Sequence, residues 1–257
     1  MAQRLAELIP RRAGASADAC CETDDVYRER PSRLAGGFVW TSTVADGATR
    51  VLPDGCTDLI WNDGDLFVAG PDTEAQLFSG VPGSRLAGLR FAPGFGPFVV
   101  GVPAHELVNL RVPLDAVRST IDTRRAMDRL AASGEPGAVL EDLAIEAIEA
   151  IERPTGADDR LDLVAHVAEL ARRGASVSSI ADAVSMSERQ LHRRCLECFG
   201  YGAKTLMRIL RMNRAVELAR HGVPFADVAV GAGYADQPHL SRDVKELAGV
   251  PLRELRT

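Results

Sequence analysis

A chain of 257 residues, 46% hydrophobic and 26% charged, is long enough for two domains with cores of their own, which excludes a disordered or low-complexity protein. Its 30 Lys and Arg against 36 Asp and Glu leave a net charge of −6, excluding a uniformly basic binder of polyanions. Without an apolar run of roughly eighteen residues or a secretory-type leader at its start, the chain reads as a soluble, cytoplasmic protein with no membrane partner.

Residues 1–26, rich in Ala, Arg, Ser and Asp with the vicinal pair Cys20 and Cys21, have no sustained period and read as a flexible arm. From 34 to 91, short apolar runs alternate with turn signals: GGFVWTSTV, TRVLPDG, CTDLIWNDG, DLFVAGPD, EAQLFSGVPG and SRLAGLRFAPG. Such runs, bounded by Asp-Gly, Pro-Gly and Gly-Pro, predict strands of a small antiparallel sheet or barrel. A short piece near 104–107 precedes helices over 114–132 and 138–151. The second carries an apolar stripe at Leu140, Leu143, Ala144, Ala147, Ile148 and Ile151, which must close the sheet or meet its twin in a second subunit. The β-rich domain is placed at 27–151 and a linker at 152–159.

Residues 160–257 read as helical throughout. Charge divides the same way: from 158 onward there are 15 Lys and Arg against 13 Asp and Glu, so the acidic excess lies in the first part. Ile180, Ala181 and Val184 mark the buried stripe of a short helix. Ser187 is an N-cap for a second helix, with Leu191, Cys195, Cys198 and Phe199 inward and Gly200 ending it. The opposite arc carries Arg189, His192, Arg193 and Glu197. An exposed helix face with two arginines and a histidine near its start suits a major groove, where Arg bonds guanine edges.

The pattern then repeats. Pro224 opens a helix with Phe225, Val228 and Ala229 inward, Gly231 and Gly233 turn the chain, and Asp236 caps a helix with Leu240, Val244 and Leu247 inward. Gln237, Pro238, His239 and Arg242 are left toward solvent. Between the two units, 203–221 forms one helix without Gly or Pro, about 28 Å long at ~1.5 Å per residue. That is close to one turn of B-DNA, about 34 Å, so both reading helices could enter successive major grooves.

These residues carry a resemblance. The chain from about 161 to 256 resembles the AraC/XylS-type DNA-binding domain: Ser187, Leu191 and Arg193 in an S-x-x-x-L-x-R run, 211–215 in an R-M-x-R-A run, and GYADQPHLSR at 233–242 followed by Gly249-Val250-Pro251 and Arg256. The resemblance implies a seven-helix domain reading DNA through both units. The base contacts it implies fall on Arg189, His192 and Arg193, and on Gln237, His239 and Arg242; the expected DNA-binding set adds Ser187, Gln190, Lys204 and Pro238. Where the family usually enters the spacer with Ser-Pro, this chain has Gly202-Ala203. The runs LPDGCTDLIW at 52–61, GPDT at 70–73, LRFAPG at 89–94 and GVPAHEL at 101–107 resemble an uncharacterised N-terminal domain found in front of such readers.

The expected fold is therefore α+β, a small antiparallel β-rich domain with flanking helices followed by an all-α domain with two helix-turn-helix units. The expected function is sequence-specific transcription regulation, with double-stranded DNA and RNA polymerase as partners, a homodimer and a small effector as further ones, and no cofactor or metal. Trp40, Trp61, Arg90 and His105, with Asp54 and Asp58 as turn residues nearby, are the candidates for an effector pocket. Two alternatives are weighed. Cys195 and Cys198 have C-x-x-C spacing, but both fall on the apolar arc of a helix, against a thiol or metal sensor. Cys56 with His105 as an enzymatic pair lacks a third orienting group and any recognisable motif, so the chain is expected not to be an enzyme.

Overall fold

A computed structural model describes residues 27–62, 64–117, 121–150 and 157–256. The arm at 1–26, with Cys20 and Cys21, lies outside the described residues, as does most of the linker.

Six strands form one antiparallel sheet in the order β1 (Tyr27–Pro31), β2 (Phe38–Thr43), β7 (Arg85–Arg90), β4 (Asp58–Asn62), β5 (Asp65–Ala69) and β8 (Arg111–Pro113). A separate two-stranded ribbon pairs β3 (Thr49–Val51) with β6 (Gln76–Phe78). Side chains alternate as the pleat requires. Val39, Leu59, Trp61, Val68, Ala87 and Leu89 face one way into the main core. Trp40, Leu86 and Ile60 face the other way with Val44 and Phe78. Gly88 makes this outer packing possible: a Cβ there would lie 2.1 Å from Trp40 Cε2.

Helices cover the inner face: α1 (Gly96–Val100), α2 (Thr123–Ala132) and α3 (Pro136–Ala150). In α3, Leu140, Leu143, Ala144 and Ala147 are buried in the same core as the strands, so the apolar stripe closes the sheet. Ile151 lies outside the described residues. Within this stripe sits an acid, Glu141, only 1% exposed. Its carboxylate accepts from Arg30 Nη2 and from the Arg33 backbone N–H, both at 2.7 Å, tying the first strand to the helix. The predicted helix over 114–132 is shorter than its pattern. Leu114–Ala116 is a 3-10 turn after β8, and α2 starts at Thr123, where the Asp122 side chain caps the Arg125 N–H. The edge strands β1 and β8 escaped the sequence reading because each is exposed along most of its length and carries no apolar alternation.

The helical half begins at Ala157, inside the predicted linker, with α4 (Ala157–Arg172). Then come α5 (Val177–Ala183), α6 (Glu188–Phe199), α7 (Ala203–Arg220), α8 (Phe225–Ala232), α9 (Gln237–Ala248) and a 3-10 turn, Leu252–Leu255. These make the seven predicted helical pieces, around a second core centred on Leu191, Phe199, Leu206, Ile209 and Met212.

Candidate nucleic-acid interface

Each of the two candidate reading helices, α6 and α9, is started by its own side chains. Ser187 caps α6 and forms a capping box with Gln190: the Ser187 hydroxyl accepts from the Gln190 N–H, and Gln190 Oε1 accepts from the Ser187 N–H at 2.9 Å. The Asp236 carboxylate accepts from the His239 N–H and caps α9. Pro224, predicted as a first helical residue, stands one position earlier as the N-cap of α8. The inward residues fall as the periods require: Leu191, Cys195, Cys198 and Phe199 in α6, and Leu240, Val244 and Leu247 in α9, are all buried.

The opposite faces are open. Arg189, Gln190, His192 and Arg193 on α6, Lys204 at the start of α7, and Gln237, Pro238 and Arg242 on α9 are exposed. Several side chains do other work. Gln190 is engaged in the cap it shares with Ser187, so both serve first to orient the helix. His239 is half-buried and stands edge-on to the Tyr234 ring at 5.2 Å between centroids. His192 folds back over the turn into α7: a Cβ on Gly202 would lie 2.7 Å from His192 Nδ1, which accounts for glycine at that N-cap.

The second reading helix is seated on the spacer by an ionic hub that the sequence reading missed. Asp243, 6% exposed, accepts from Arg208 Nε, from Arg211 Nη2 at 3.4 Å and from Tyr234 Oη at 3.0 Å. The Arg211 guanidinium also lies 4.4 Å from the Tyr234 ring centroid. A signal was available: Asp243 falls between Leu240 and Leu247 at helical spacing, an acid inside the apolar stripe. Burial and the Asp243 charge raise the Tyr234 hydroxyl above its ordinary range, keeping it a donor. Beside this hub a basic cleft of about 250 Å³ runs between the end of α4, α7 and the α8–α9 turn, lined by Arg172, Arg173, Arg211 and Arg214.

The four effector-pocket candidates do not converge. Trp40 lies on the outer sheet face, donating from Nε1 to Asp58 Oδ1 at 2.7 Å and stacking with Tyr27. Arg90 joins it there, with Nε 3.2 Å from Asp54 and 3.5 Å from Asp58. Trp61, two residues along β4 from Leu59, points into the inner core. His105 is exposed on the 3-10 turn Ala104–Glu106. A cavity of about 200 Å³ between α2 and α3, lined by Ile121, Asp122, Arg125, Leu143 and Glu146 among others, includes none of the four.

The three thiols among the described residues are poorly disposed to react. Burial pushes the Cys195 thiol up to about 12 and that of Cys198 to about 11, and burial with the nearby Asp54 raises Cys56 well above the ordinary thiol range. Among the described residues there is no group of three or more His, Cys, Asp or Glu that could hold a metal ion, and no helix is long and apolar enough to cross a membrane.

Comparison with known proteins agrees with this geometry. A family model described as a helix-turn-helix domain matches residues 180–257, and one described as a domain of unknown function (DUF6597) matches residues 37–113. No curated protein matches the chain. Among solved structures, a transcriptional regulator from Chromobacterium violaceum with an AraC-type DNA-binding domain is 24% identical over 40% of this chain and 94% of that one, with a TM-score of 0.35. The C-terminal domain of AraT, a response regulator from Geobacillus stearothermophilus, is 24% identical over 35% of this chain and 83% of that one, with a TM-score of 0.32. ToxT from Vibrio cholerae is 10% identical over 84% of this chain and 96% of that one, with a TM-score of 0.48. The chain thus carries a helix-turn-helix domain at 180–257 behind a domain of unknown function at 37–113.

Proposed function

We propose that this regulator reads one bipartite site by laying α6 and α9 into successive major grooves of the same duplex. The observation that carries the reading is the pair of open, arginine-bearing faces at the starts of two capped helices, joined by an 18-residue spacer about 27 Å long at ~1.5 Å per residue. Arg189, Arg193 and Arg242 are assigned to base edges and Lys204 to the phosphate backbone. Gln237, Pro238 and His239 line the entry of α9, and His192 that of α6. The basic cleft beside α7 has the charge to meet phosphates between the two grooves.

The division of labour we propose gives the reader residues 160–257 and the sheet residues 27–151, with the sheet binding an effector or pairing subunits. Its polar group at Trp40, Asp54, Asp58 and Arg90 supports the first role. RNA polymerase and a second copy of the chain are further partners of such a regulator, and the cytoplasm is its place of work. The buried, protonated thiols weigh against a sensor built on Cys195 and Cys198, and the raised thiol of the half-buried Cys56 weighs against a nucleophile.

Selection of bound sequences from random DNA by the full chain tests the reading. The expected product is one motif with two half-sites about one helical turn apart; recovery of DNA without any sequence preference overturns it.

A further inference from the structure

Each of the four sequence runs that give the sheet half its resemblance meets the helical half. From the first run, Leu52 packs on the helical core and the Pro53 carbonyl accepts from Asn213 Nδ2, in the middle of α7, at 3.0 Å. Gly55, at φ +82, lies close beneath the Leu206 side chain. From the third run, Gly94, at φ +79, admits Phe199, the last residue of α6: a Cβ there would lie 2.6 Å from the Phe199 ring. The second and fourth runs meet Gly200, the C-cap of α6, where an added Cβ would come within 2.9 Å of Pro71 and 3.2 Å of the Ala104 carbonyl oxygen. The Pro71 loop is itself braced, since Arg111 grips Asp72 through both terminal nitrogens and Asn109 Oδ1 accepts from the Thr73 N–H at 2.8 Å.

The far end of α9 is held by the β3–β6 ribbon. Arg50 Nη1 donates to the Ala248 carbonyl at 2.9 Å, and the Ala75 N–H donates to the Leu247 carbonyl at 2.7 Å. The last carbonyls of a helix have no intrahelical donor, and its C-terminal end is the negative end of the dipole, so a guanidinium and an amide from another element satisfy both needs.

We infer that the sheet half is a clamp that sets the spacing and twist between the two reading helices, gripping α6 and α9 by their C-terminal ends and α7 at its middle. Arg50 and Asn213 are its positioning residues. Neither lies on the open faces that read DNA, and the inference rests on those faces being the readers. One base pair added between half-sites moves one of them by about 3.4 Å and turns it by about 35°. A clamped reader cannot follow that displacement, whereas two units joined by a helix alone adapt by bending.

The test uses the full chain and the bipartite site it selects, with one base pair added to or removed from the spacer. The wild type is expected to lose about tenfold or more in affinity for either change. In the double variant Arg50→Ala with Asn213→Ala, the penalty should fall to about threefold or less, base preferences inside each half-site should stay as they were, and the Ala75 amide should exchange faster with solvent. Arg50→Lys, which keeps a donor and a charge at the Ala248 carbonyl, should restore much of the spacing penalty when placed beside intact Asn213. A double variant with the wild-type penalty and unchanged Ala75 protection overturns the clamp, as does an equal loss at every spacing. A wild type without sequence preference overturns the DNA-reading proposal itself and the clamp with it, so the two failures are distinct.

Discussion

Arg193 and Arg242 occupy corresponding places on the two reading helices, each exposed and each on the arc opposite a buried leucine. Replacing either with Ala should cost about 1–3 kcal/mol at the cognate site and relax base preference at one position of its own half-site. Binding measured across a panel of single-base variants checks this, and a uniform loss across all sequences would reassign the residue to phosphates. Glu141 acts on stability instead. Burial pushes its carboxyl up, but the bond from Arg30 and the Arg33 N–H more than reverse this, and the group is held below the ordinary carboxylate range. A carboxyl depressed in the folded state contributes stability above its unfolded pKa of about 4.3, and that contribution is lost as pH falls through the lower folded value. Glu141→Gln should therefore lower stability at neutral pH by about 1–3 kcal/mol and flatten the fall toward acid, read from urea midpoints between neutral and acid pH.

Among the elements, α9 is seated on α7 through a buried acid, Asp243. Its apolar stripe alone would allow the helix to slide on α7; Asp243 fixes the register through Arg208, Arg211 and Tyr234. Asp243→Ala leaves Arg211 and the buried Tyr234 hydroxyl without the Asp243 acceptor and leaves Arg208 with its bond to Glu246, a loss of about 2–3 kcal/mol after allowing for the partial exposure of both arginines. The second half-site should lose its sequence preference while the first keeps it, since α6 shares none of these partners. Footprinting over each half-site separates this outcome from general unfolding, which would remove both. The cap of α6 is internal by contrast, Ser187 with Gln190, and needs no neighbour.

For the whole molecule, the two cores are not independent. Leu52 and Phe98 of the sheet half pack on the helical core, and Leu161 of α4 packs on the sheet core. A fragment of residues 158–257 should keep the base preference of each half-site but tolerate altered spacing, and should melt at lower temperature than the same helices in the full chain. Thermal unfolding and binding to the spacing series measure both; a fragment as stable and as strict as the full chain would make the contacts between the halves incidental.

How much of this was legible in the sequence follows from which forces are local. Helix periods, the caps Ser187 and Asp236, the stops at Gly200 and Gly249 and the strand runs are set by residues close in the chain, so both helix-turn-helix units and most of the sheet could be read from the sequence alone. The edge strands, the acids buried at Glu141 and Asp243, and the separation of Trp40 from Trp61 onto opposite sheet faces depend on partners far away in the chain or on the pleat's register, which composition does not encode. The motifs around Pro53, Pro71 and Gly94 were visible as words without a meaning. Only the tertiary structure, by bringing them against the ends of the reading helices, decided what they touch, because close packing and the capping of helix carbonyls are satisfied between elements and not within them.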